Sequence, residues 1–142
     1  MKRALFLLTA LVLLHGPGAV GAPPKATDDD DPDKPGKITG IPITRPNGTF
    51  LGIEIKDGNF KLTFYNAKKK PIPVDVARAI LRWPVHYQPN QETAILSNPA
   101  SDGHALTSEK VVRAPHDFKL YISLFAEGAE NAAETYVVDY HD

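Results

Sequence analysis

An all-β sandwich of seven to eight antiparallel strands is what this 142-residue chain predicts, on three observations. From Ile38 onward, apolar residues recur at every second position, the period of a half-buried strand. Turn-forming residues interrupt that alternation roughly every 8–12 residues, the spacing typical of sandwiches. The chain has no cysteine, so its strands must bury a core that stands without disulfides.

The first 22 residues read as an address. Lys2 and Arg3 open the chain, and an apolar run follows from Leu5 to Leu14, broken only by Thr9. Gly16, Pro17 and Gly18 break any helix, and Val20-Gly21-Ala22 supplies a small-residue ending. That order predicts a secretory signal peptide over 1–22, cut after Ala22. The apolar run is shorter than the roughly 20 residues needed to cross a bilayer. No stable membrane span is therefore expected after leader removal, and the product is expected to be secreted or periplasmic.

What remains, 23–142, is one domain with a leading tether. The whole chain carries a net charge of −1. Two of the positives sit in the leader, so 23–142 holds 14 basic against 17 acidic residues, a net −3. No basic excess exists to neutralise a phosphate backbone, so nucleic acid is not an expected partner. Residues 23–37 contain four prolines, five aspartates and no large apolar side chain. Such a segment cannot bury enough surface to offset its ordering entropy and predicts a disordered acidic linker. Calcium loops space their ligands at alternate positions around a glycine turn; the run Asp28 to Asp31, with Asp33, does not.

The domain proper is expected over 38–142. Gly40 to Arg45 makes a first strand. Leu51, Ile53 and Ile55 alternate with Gly52, Glu54 and Lys56, and Phe60, Leu62 and Phe64 with Lys61, Thr63 and Tyr65. Asp57-Gly58 lies between them, a dipeptide suited to a tight hairpin turn. Asn66 to Pro73, with Lys68-Lys69-Lys70, is a solvated turn. Val76 to Val85 alternates as a strand would, although its alanine, arginine and leucine content also suits a short helix begun at Asp75. Pro84 and the β-rich neighbours favour the strand. Thr93 to Ser97 and Leu106 to Val112 predict short strands around an Asn98–Gly103 turn. Phe118 to Phe125 predicts a long strand, Glu127 to Ala133 a loop, and Thr135 to Tyr140 the last strand. The size and strand spacing are immunoglobulin-like, without the Cys–Trp–Cys pattern of antibody domains.

The stretch Phe50-Leu51-Gly52-Ile53-Glu54, followed by Phe60-Lys61-Leu62-Thr63-Phe64-Tyr65-Asn66-Ala67-Lys68-Lys69-Lys70-Pro71, resembles the strand–turn–strand of small bacterial secreted immunoglobulin-like or transthyretin-like domains. The resemblance covers about 30 residues. It implies a fold and a compartment, and it transfers no catalytic residue.

Little in the chain points to catalysis. There is no G-x-S-x-G elbow and no phosphate-cradling glycine loop. The four serines, Ser97, Ser101, Ser108 and Ser123, have no activating context. Histidine is the remaining chemical resource. His86, His104 and His116 are the metal-ligand candidates, although no pair shows H-x-H or H-E-x-x-H spacing. His104 and His116 flank the 106–112 strand and are expected at opposite ends. Asp102 and Asp117 could orient them. Tyr65, Trp83, Tyr87, Tyr121, Tyr136 and Tyr140 could form an aromatic platform, and Arg78 with Arg82 could hold an anion; core packing and surface ion pairing are the simpler accounts. The expected function is a non-enzymatic accessory or binding module outside the cytoplasm. Its expected partner is another envelope or extracellular protein, met by strand addition or at a loop end, with no cofactor. The alternatives are a periplasmic metal-binding domain using the loop histidines and, further off, a small hydrolase.

Overall fold

The computed structural model describes residues 33–142. The expected leader, most of the expected linker and the Asp28–Asp31 run lie outside them. The described residues form eight strands and no helix. In chain order these are β1 (Ile41–Thr44), β2 (Phe50–Lys56), β3 (Asn59–Tyr65), β4 (Arg78–Val85), β5 (Gln88–Pro99), β6 (Ala105–Ser108), β7 (Asp117–Phe125) and β8 (Glu134–His141). All pairings are antiparallel.

The strands make one sheet, in the order β1-β2-β3-β6-β5-β4-β7-β8. The expected immunoglobulin-like pair of sheets is not shown, and β6 is the reason. Leu106 lies opposite Leu62 on one side and Pro99 on the other. This four-residue strand thereby joins β1-β2-β3 to β5-β4-β7-β8. The single sheet then curls on itself, as a twisted sheet of this size must to cover its apolar face.

The β2–β3 hairpin forms as its sequence predicts. Lys56 lies opposite Asn59, and the two turn residues take positive φ, 53° at Asp57 and 80° at Gly58. Paired positive φ matches the right-handed twist of the strands, which is why Asp-Gly suits the position. The 76–85 segment is a strand from Arg78 onward. Asp75 serves as an ion-pair partner, described below, and starts no helix.

Alternation then sorts the side chains. Leu51, Ile53, Phe60, Leu62, Phe64, Leu81, Leu106, Leu120, Ile122 and Leu124 are wholly buried inside the curl. Each such side chain contributes about 1.5–3 kcal/mol relative to exposure. Tyr65 points to the outer face and is also buried, because residues 36–40 cross that face. Gly36 N–H donates to the Lys68 carbonyl at 2.8 Å, and Thr39 N–H to the Tyr65 hydroxyl at 3.1 Å. The last part of the expected linker is therefore docked. Gly52 permits the crossing, since a Cβ there would stand 2.4 Å from the Thr39 carbonyl oxygen and 2.8 Å from Ile38 Cγ2.

The two ends of the sheet, β1 and β8, share no ladder. Side chains bridge them instead. Arg45, immediately after β1, is buried with 2% of its side chain exposed. Its Nε and Nη2 donate to the two carboxylate oxygens of Glu134 on β8, at 3.0 and 2.8 Å. Its Nη1 donates to both oxygens of Asp75, at 3.0 and 2.8 Å. The guanidinium lies 5.2 Å from the centroid of the Phe64 ring. A second tie lies further along β8, where Ile55 N–H donates to the Tyr140 hydroxyl at 2.7 Å.

This clasp sets the titration of its members. Hydrogen bonding from Arg45 holds the Glu134 carboxyl below its ordinary value of 4.5. Burial, reinforced by the hydrogen bond that the Tyr136 hydroxyl donates to Glu134, pushes Tyr136 up to about 12 from 10.0. Glu134 binds a proton more readily unfolded than folded, so its contribution is complete above pH 4.5 and is lost as pH falls through its lowered value. Tyr136 works in the other direction: its contribution is complete below pH 10.0 and is lost as pH rises toward 12.

Two predictions follow from the clasp. Arg45→Met should cost about 3 kcal/mol in urea denaturation, the low end for breaking a buried ion pair, because Asp75 keeps 43% of its side chain in solvent. Stability measured against pH should fall at both extremes in the wild type, and Arg45→Met should flatten the acid limb, since Glu134 then loses the donor that depresses it. A variant as stable as the wild type would mean that the sheet closes without the clasp.

Candidate functional site

The β4–β5 hairpin stops pairing regularly at Pro84. Pro84 lies opposite Glu92, whereas the next residue, Val85, lies opposite Gln88. Proline has no N–H to continue the ladder, so a register slip is expected there. The ladder resumes at Val85 and Gln88, with His86-Tyr87 as the hairpin tip. A cleft of about 430 Å³ opens between this hairpin, the start of β7 and the loop at 109–116. Its volume lies within the range of small-molecule sites, roughly 300–1,000 Å³.

The floor is aromatic. Trp83 and Phe118 stack with ring centroids 5.4 Å apart and planes at 22°. Phe60 meets Trp83 edge-on at 5.4 Å, and Tyr140 stacks on Phe118 at 5.6 Å. Ile95 and Val112, both buried, continue the apolar lining. The 109–116 wall is pinned at several points. Val112 N–H donates to the Gly58 carbonyl at 2.7 Å, the Ser108 hydroxyl to the Lys110 carbonyl at 3.2 Å, and His116 Nε2 to the Val112 carbonyl at 3.2 Å. His116 Nδ1 faces the Asp142 carboxylate at 3.0 Å. The sequence predicts a strand through Val112; the strand ends at Ser108 because this loop turns away to cap the end of the curl.

The polar groups of the cleft lie at its rim. Asp117 is the sole carboxylate in the lining, and His141 Nδ1 lies 2.9 Å from it. Lys110 and Arg113 are exposed, and neither side chain has an ion-pair partner among the described residues. Thr93 supplies the one hydroxyl of the lining. The site therefore offers apolar contact and positive charge, and it sets no nucleophile against a base.

The three histidines singled out from the sequence have separate places. His86 lies on the cleft rim, its ring 3.9 Å from that of Tyr87. His104 is exposed before β6, its N–H bonded to Asp102 Oδ1 at 3.0 Å. His116 pins the cleft wall. Among the described residues, no three His, Cys, Asp or Glu side chains group as a metal site. Arg78 and Arg82 share the outer face but have other partners: Arg78 donates to the Ala129 carbonyl at 3.1 Å, and Arg82 pairs with Glu92 at 3.5 Å. The aromatic residues do not form one platform. Tyr65 and Tyr140 are buried, Tyr136 bonds to Glu134, and Tyr121 is half-buried on the outer face. Lys110, Arg113 and Phe118 were not legible as site residues; the irregular pattern of 106–112, followed by Pro115, was the available signal. The chain matches no protein family, no curated protein and no solved structure.

Tyr87 stands apart on the hairpin tip. It is 91% exposed and sits at φ 65°. A left-handed conformation costs an L-residue about 1–2 kcal/mol, and glycine loses roughly 0.5–1 kcal/mol in extra chain entropy. Tyr87→Gly should therefore leave stability unchanged or raise it by up to about 1.5 kcal/mol in thermal or urea unfolding. A clear loss would show that the ring holds the fold together.

Proposed function

We propose that this chain is an exported, non-enzymatic binding module that works outside the cytoplasm, with the aromatic-floored cleft as its contact site. The carrying observation is the combination of a small-molecule-sized apolar cleft, a wall pinned by backbone hydrogen bonds, and cations at the rim that have no ion-pair partner among the described residues. A pre-shaped site of this kind lowers the ordering cost of binding. Export rests on the charged start, apolar run and small-residue ending of residues 1–22. An envelope or extracellular protein remains the natural source of a partner, and the cleft is where it, or what it carries, would be met.

The test is capture from an extract of the source's own envelope, with proteins and extracted small molecules both identified by mass spectrometry. Thr93 lines the cleft, is only half-buried and lies opposite Trp83, so its side chain shares the Trp83 face and Thr93→Phe crowds the cleft. Material bound by the wild type should drop at least about fivefold on the variant, a loss of roughly 1 kcal/mol. Equal capture by both would place binding elsewhere on the molecule.

A further inference from the structure

We infer that the cleft takes a small amphipathic anion, with a ring or short chain against Trp83 and Phe118 and a carboxylate or phosphate met by Lys110 and Arg113. This deepens the binding-module reading and rests on it. The argument is one of charge complementarity. The chain is acidic past its leader, yet the lining carries Lys110 and Arg113 against one carboxylate, Asp117, which already faces His141. Of the four arginines among the described residues, Arg45, Arg78 and Arg82 bond to carboxylates or a carbonyl. Arg113 bonds to none of them. A guanidinium presents a fork that matches a carboxylate or a phosphate through two parallel hydrogen bonds.

The rest of the cleft excludes other ligand chemistry. A cationic amphiphile would meet two like charges at the rim. A neutral apolar ligand would fill the floor but leave both cations to solvent, with nothing gained from them. A polyanion needs a basic stripe along its length, and the neighbouring outer-face cations, Arg78 and Arg82, are engaged. The volume, about 430 Å³, suits a compact ligand held at one end by charge and along its body by ring contact.

Trp83 is the single tryptophan of the chain and forms part of the cleft floor, so its fluorescence reports occupancy. The purified protein would be titrated below micelle concentrations with decanoate, decyl phosphate, 1-decanol and decyltrimethylammonium, following Trp83 emission and heat. Both anions should shift the emission and bind at least about tenfold tighter than decanol; their order tells a carboxylate source from a phosphate source. Lys110→Ala with Arg113→Ala should keep the melting temperature, since both side chains are exposed, and should lose that advantage. Decanol binding as tightly as the anions, tighter binding of the cation, or a preference that survives the double variant would each overturn the inference. If all four probes bind alike at Trp83, the anion preference fails and the binding-module reading stands. If no probe shifts Trp83 and Thr93→Phe leaves extract capture unchanged, the cleft itself fails as the site.

Discussion

One buried arginine holds the two ends of this sheet together. An eight-stranded sheet that curls without pairing its first and last strands needs other groups to close the seam. Arg45 closes it from the end of β1, with four hydrogen bonds to Glu134 and Asp75. Burying a guanidinium is costly unless its donors find acceptors, and here its fork meets a carboxylate on each side while Phe64 lies against its face. The interaction specifies which edge strands meet. It is also the source of the acid sensitivity, because hydrogen bonding from Arg45 holds the Glu134 carboxyl down, whereas Tyr136 is pushed up by burial and by its bond to Glu134.

Closure has a consequence at the other end of β8. Bringing β8 round to β2 sets Tyr140 against Phe60, with ring centroids 6.0 Å apart, and its hydroxyl on Ile55 N–H. Phe118 then stacks between Tyr140 and Trp83. That aromatic column is core on one side and cleft floor on the other. The seam and the cleft are thus mechanically linked, since the rings that line the cleft are held by rings whose positions depend on the sheet being closed. The opposite wall is rigid for a different reason: the 109–116 loop has its backbone groups bonded to the β2–β3 turn and to His116.

Local features of the chain were legible. Asp57-Gly58 between two alternating runs announced the hairpin, because positive φ at a two-residue turn is a property of those residues alone. The ambiguity at 76–85 resolved as a strand, since β4 finds ladders on both sides, with β5 and β7, and pairing on two edges outweighs modest helix propensity. Arg45 gave no signal, because a charged residue next to a turn reads as solvated until its partners, 30 and 89 residues away, are known. His116 read as a metal candidate, and in the structure its ring ties a loop to the C-terminal residue.

The alternation of apolar side chains determined by itself that the chain would be all-β, because a period of two is imposed by the pleat within each strand and needs no knowledge of neighbours. The number of strands came with it, and Asp57-Gly58 added the β2–β3 hairpin. Only tertiary structure decided that β6 would join two half-sheets into one, that Arg45 would meet Glu134, and that Trp83, Lys110, Arg113 and Phe118 would surround one cleft. Those outcomes depend on which strands pair and how far the sheet curls, and both are set by packing between segments far apart in the chain.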